Sequence, residues 1–77
     1  MNYYKYKPSK VIARLAHMSE KSKVAISKEI GRNKYFLGTY TSSGRIPNIV
    51  LLTEIARACG YEVHIIGHDE DITLDLE

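Results

Sequence analysis

The groups in this chain with chemistry to offer are mainly lysines, arginines, six tyrosines and three histidines. Tyr3, Tyr4, Lys5, Tyr6 and Lys7 interleave rings with ammonium groups. Such a run packs on a sugar–phosphate backbone or reaches into a groove. Equally, its tyrosines serve to cover a small core. His17, His64 and His68 are scattered, and no carboxylate or nucleophile stands near them at a catalytic spacing. His68 beside Asp69 and Asp71 has the donor types of a metal site, but a solvated acidic turn has the same composition. No glycine-rich loop joins a strand to a helix, which excludes a phosphate-binding nucleotide fold. The lone thiol, Cys59, excludes an internal disulfide or a multi-cysteine zinc site and reads as a small core residue. No enzymatic activity, cofactor or metal is expected.

Charge is the stronger signal. The net value of +2 conceals a strong polarity along the chain. Residues 1–45 hold ten lysines and arginines against Glu20 and Glu29, for +8. Residues 46–77 hold Arg57 against seven carboxylates, for −6. This pattern suggests a basic face for a polyanion and an acidic end turned elsewhere, although an unevenly solvated surface has the same arithmetic. At 77 residues, 44% hydrophobic and 26% charged, the chain reads as one small soluble domain. A domain of this size buries only about 60% of its unfolded surface, so a partner subunit is expected to complete it. No apolar run approaches the ~20 residues of a membrane span, and Met1–Lys10 lacks the apolar core of a signal peptide. A cytoplasmic location and no membrane partner follow as expectations.

The elements that must position these groups follow from periodicity and caps. Ser9 is a cap for a first helix, with Pro8 just outside and Val11, Ile12, Leu15, Ala16 and Met18 as its apolar stripe. Ser22 caps a second helix with Val24, Ile26 and Ile30 facing inward, and Gly31 stops it. After Arg32, Asn33 caps a third helix over about 34–41, with Phe36, Leu37 and Tyr40 inward. Residues 41–45 read as a loop. Asn48 caps a fourth helix with Ile49, Leu52, Ile55, Ala56 and Cys59 on its buried face, and Gly60 ends it. Residues 61–66 and 72–76 then alternate as the strands of a β-hairpin about a turn at 67–71. A lone hairpin is marginal in water, so this one must pack on the helices or on another chain.

A helix, a three-residue turn containing glycine and a second helix make a helix-turn-helix, whose second helix enters the major groove of DNA. The stretch Ser22–Gly31, then Arg32–Leu37, Ser43-Gly-Arg-Ile-Pro47, Leu51–Ala56 and Gly60 resembles the Cro/phage-repressor-type helix-turn-helix family over residues 9–61. The hairpin is similar in style to the small Cro proteins, which dimerise through a terminal strand. Ser27 stands where the family usually has alanine, and Arg32 where it usually has an apolar residue.

The resemblance implies roles for individual residues. Asn33, Lys34, Tyr35 and Thr39 would face the bases of the major groove. Lysine suits guanine acceptors, asparagine suits adenine or a phosphate, and threonine suits a thymine methyl. Ser22, Lys23, Arg32, Ser42, Ser43, Arg45 and Asn48 would hold phosphates. Gly38 either lets the backbone approach DNA or relieves a clash with the second helix. Val63, Ile65, Ile72 and Leu74 would form the dimer contact.

The expected fold is therefore mainly α: a four-helix repressor-like domain over 9–60, preceded by an arm at 1–8 and followed by a hairpin at 61–77. The expected function is a transcriptional repressor of phage, prophage or plasmid type that binds double-stranded DNA as a homodimer and occludes an operator. The chain has no room for a ligand-sensing domain. The rival reading is an antitoxin or interaction module whose acidic hairpin binds a protein partner.

Overall fold

The computed structural model describes residues 4–76 and contains four helices and a two-stranded hairpin: α1 (Pro8–Ser19), α2 (Lys23–Glu29), α3 (Phe36–Ser43), α4 (Ile49–Ala58), β1 (His64–Gly67) and β2 (Glu70–Thr73). The fold is mainly α with a small C-terminal hairpin. Among the described residues, no helix is long and apolar enough to cross a membrane. Tyr3 of the arm and Glu77 of the acidic end lie outside the described residues.

The core gathers Ile12 and Ala16 from α1, Ile26 from α2, Leu37 from α3, and Leu51, Ile55 and Ala58 with Cys59 from α4. Leu15, Ile30, Phe36, Tyr40, Leu52 and Tyr61 close its margins. Burial, the largest influence on Cys59, pushes its thiol above the ordinary value. Three expected core positions face solvent instead: Met18, Val24 and Ile49, the last 57% exposed. On α4 the buried stripe runs through Leu51, Ile55 and Ala58. This spacing of four then three residues is as helical as the one expected, so periodicity alone did not choose between them.

Helix ends account for most of the local geometry. Ser22 accepts the Ala25 N–H at 3.0 Å and Asn48 accepts the Leu51 N–H at 2.8 Å, each as a true N-cap. Helix α1 differs from expectation: Pro8 is its first residue, Lys7 is the N-cap, and Ser9 lies inside. A proline suits this position because its missing N–H would have had no helical partner. Gly31, at φ +75°, lets the chain leave α2 with the Gly31 N–H on the Lys28 carbonyl and the Arg32 N–H on that of Ser27. A turn of the same hydrogen-bond pattern ends α4, where Lys21 also donates to the Ala58 carbonyl at 2.6 Å and pairs with Glu29.

Ser27 joins α2 to α3. It is 0% exposed. Its hydroxyl donates to the Lys23 carbonyl at 2.7 Å and accepts the Leu37 N–H at 3.0 Å. Leu37 is the second residue of α3, and its amide has no partner within the helix. The serine thus caps a neighbouring helix across the turn. Replacing Ser27 with alanine leaves that buried amide unpaired. We expect a loss of about 1–3 kcal/mol, read in chemical unfolding as a lower midpoint with an unchanged slope.

The hairpin is antiparallel, pairing Ile65 with Ile72 and Ile66 with Asp71. Its strands are displaced from the expected ranges. The turn is the two-residue His68-Asp69, with His68 at φ 48°, and pairing starts at His64. Val63 and Leu74 continue the ladder beyond the strands, through Leu74 N–H to Val63 carbonyl at 2.8 Å. All eight strand residues are exposed, and Arg57 on α4 reaches Asp75 beyond β2 at 3.2 Å.

One face of the hairpin carries an ionic clamp. The His64 ring faces Asp71 through Nδ1 at 2.7 Å and Glu62 through Nε2 at 3.2 Å, with Thr73 Oγ1 at 3.4 Å. Only imidazolium donates from both nitrogens at once. Glu62 and then Asp71 accordingly raise the His64 pKa above its ordinary 6.5. A raised folded-state pKa stabilises the hairpin fully below pH ~6.5, and that contribution fades as pH rises through the folded value. Amide exchange of Ile65 and Ile72, a hydrogen-bonded pair of the ladder, should therefore speed up between pH 6 and 9 beyond the intrinsic base-catalysed trend, and His64→Phe should abolish the excess.

Candidate nucleic-acid interface

The exposed side of α3 is built from residues three and four apart. Tyr35, Gly38, Thr39 and Ser42 follow one another along one stripe, while Leu37 points into the core and Phe36 and Tyr40 are half-buried. Phe36 and Tyr40 pack against each other with ring centroids 5.5 Å apart and planes tilted by 37°. Lys23 and Val24 at the start of α2 flank the stripe, as do Lys34 and Ser43. Together these residues line a shallow concavity of about 580 Å³. A second hollow, of about 260 Å³, adjoins it and adds Asn33 and Arg45. Among the described residues, no carboxylate lines either one.

The helix lies two residues later than its periodicity indicated. Asn33 does not cap it. Its side-chain oxygen accepts the Tyr35 N–H at 2.8 Å in a local turn, and Tyr35 is the N-cap residue without a side-chain cap bond. That bond fixes the side chain in the turn, and the amide NH₂ of Asn33 suits an acceptor such as a phosphate. Residues 41–43, expected in a loop, form the last turn of α3, which Gly44 ends at φ +69°. Ser42 and Ser43 therefore stand on the helix, their hydroxyls donating to the Gly38 and Tyr40 carbonyls, each at 2.8 Å.

The remaining expected positions divide. Lys34 holds its ammonium 5.1 Å from the ring centroid of Tyr35, which is 64% exposed. Lys23 donates to Thr41 at 3.2 Å. Arg32 lies over the Phe36 ring at 4.8 Å, an aromatic role that accounts for a cation in a place usually apolar. Ser22 and Asn48 are exposed caps, and neither lines the two hollows. In the arm, Tyr4 and Tyr6 both lie against Arg14, at 5.6 and 5.9 Å, while Lys5 and Lys7 are exposed. Sequence reasoning missed Thr41 and assigned Ser42 to a loop. The signal was Gly44, a stronger helix stop than the serines before it.

No family model, curated protein or solved structure matches this chain. Its residues alone must carry the reading. A surface with cations at the margins, hydroxyls along the middle and no carboxylate among its lining residues is suited to a polyanion with hydrogen-bonding edges.

Gly38 is one of the residues that line the concavity. A Cβ built there meets nothing within 4 Å, so the glycine does not relieve a clash with α2. What remains is the empty space itself, kept at the expense of roughly 0.5–1 kcal/mol of helix stability relative to alanine. Gly38→Ala should therefore raise the unfolding midpoint by a few degrees. If a ligand enters the concavity, the same change should weaken its binding, and opposite signs for stability and affinity would separate a binding role from a structural one.

Proposed function

We propose that this protein is a sequence-specific DNA-binding regulator of repressor type, acting as a homodimer that occludes an operator. The observation that carries the reading is the concavity on α3, with Lys23, Lys34, Tyr35, Thr39 and Ser42 around the open backbone of Gly38. In this reading α3 lies in the major groove. Tyr35, Thr39 and Lys34 meet base edges, and Lys23, Arg45 and the Asn33 amide hold the flanking phosphates. The resemblance to the Cro/phage-repressor family supports the same orientation, with half-sites about one helical turn (~34 Å) apart on a palindrome.

Homodimerisation is supported by the hairpin. Ile65 and Ile72 pair on one face of a two-stranded sheet that is exposed throughout. Val63 and Leu74 extend that face toward the helices. Ile66, 76% exposed, belongs to the opposite face and was not anticipated as a contact. A second copy covering the isoleucines would remove apolar area from water and give the hairpin the additional strands it needs.

A salt titration of duplex binding tests the proposal. Affinity for a duplex selected from a random pool should fall by more than about a hundredfold between roughly 50 and 200 mM salt, as released counterions require. The absence of salt-sensitive binding to any duplex at low salt would overturn it. Ile65→Asp should keep the helical circular dichroism signal, sediment as a monomer and lose the tight binding that two half-sites provide. A persisting dimer would place the subunit contact on another surface.

A further inference from the structure

We propose that Ser42 is a specificity-determining residue that accepts a hydrogen bond from the exocyclic amine of an adenine or a cytosine. The inference rests on the DNA-binding reading above and names a chemical preference within it.

The argument begins with the length of α3. Because the helix continues to Ser43, Ser42 lies one turn beyond Gly38 and three residues beyond Thr39, on the stripe that lines the concavity. Its side chain is exposed. The Ser42 Oγ is 2.8 Å from the Gly38 carbonyl oxygen. A carbonyl only accepts, so the hydroxyl proton is committed to the helix and the two oxygen lone pairs face outward. A phosphate offers acceptors alone and gains nothing from such a group. In the major groove, adenine N6 and cytosine N4 carry amino donors, whereas guanine presents O6 and N7 and thymine O4, all acceptors. A serine held in this way therefore favours a base with an amine and disfavours guanine or thymine at the same place. Gly38, with no side chain, leaves the space through which that edge approaches. Lys34 across the concavity has the opposite polarity, offering donors only. The two residues thus impose different requirements on different base pairs.

Base-analogue binding tests this with the full chain. The probe is the duplex that wild-type protein selects from a random pool. Each adenine is replaced in turn by purine and each cytosine by 2-pyrimidinone, which remove the amine and the one Watson–Crick hydrogen bond it makes, so each affinity is compared with that of Ser42→Ala on the same duplex. Wild type should lose roughly fivefold to tenfold in affinity at one position per half-site, the effect of one net hydrogen bond. Ser42→Ala should be indifferent at that position, and Ser42→Thr, which keeps the hydroxyl, should regain the discrimination. Alanine is the better helix former, so loss of α3 does not confuse the result. If Ser42→Ala retains the parent's preference at every position while binding remains salt-sensitive, Ser42 does not read sequence. If wild type binds no duplex in a salt-sensitive way, the operator reading falls first and this inference with it.

Discussion

The relation of α2 to α3 depends on one buried hydroxyl. Ser27 ties its own helix through Lys23, receives the Arg32 amide on its carbonyl as the chain turns at Gly31, and receives the Leu37 amide on Oγ as α3 begins. Without this last bond the first turn of α3 would bury a donor with no partner. A small apolar residue would let the helices approach equally closely. Serine does so and also fixes where the third helix starts. The position of every exposed residue on α3 follows from that starting point, because a shift of one residue rotates the exposed stripe by about 100°.

Two kinds of order are present in the chain. The helices share a core to which every one of them contributes. The hairpin has strand residues that are exposed throughout and is tied to α4 at Arg57–Asp75. It is the low-stability part of the molecule, and local opening should begin there. The same division separates the charges. Along the chain, the basic half supplies α1 to α3, and the acidic half supplies α4 and the hairpin. Single-sign regions of this kind act on association and orientation more than on folding.

Much of the fold was legible in the residues. The four helices, the caps at Ser22 and Asn48, the stops at Gly31 and Gly60 and the terminal hairpin all follow from local chemistry, which operates within a few residues and leaves marks in composition. The errors share a cause. Asn33 has the composition of a cap but bonds only two residues ahead. Residues 41–43 have loop-like side chains but lie in a helix, where their hydroxyls turn back onto carbonyls. Ile49 continues an apolar period but lies outside the core, which Leu51 occupies. In each case the residue types are compatible with more than one local arrangement, so composition and periodicity alone did not choose between them.

By itself the sequence determined a small, mainly α domain of four helices, a basic first part and an acidic hairpin. These properties depend on neighbouring residues and on totals. The connection from α2 to α3 spans residues 30–35 rather than the three residues expected. Only the tertiary structure decided that α3 runs from Phe36 to Ser43, that Tyr35, Gly38, Thr39 and Ser42 share a face, and that the space over Gly38 is empty. Those facts are set by the Ser27 hydroxyl and the Leu37 amide meeting across the turn, ten residues apart in sequence, a distance over which periodicity carries no information.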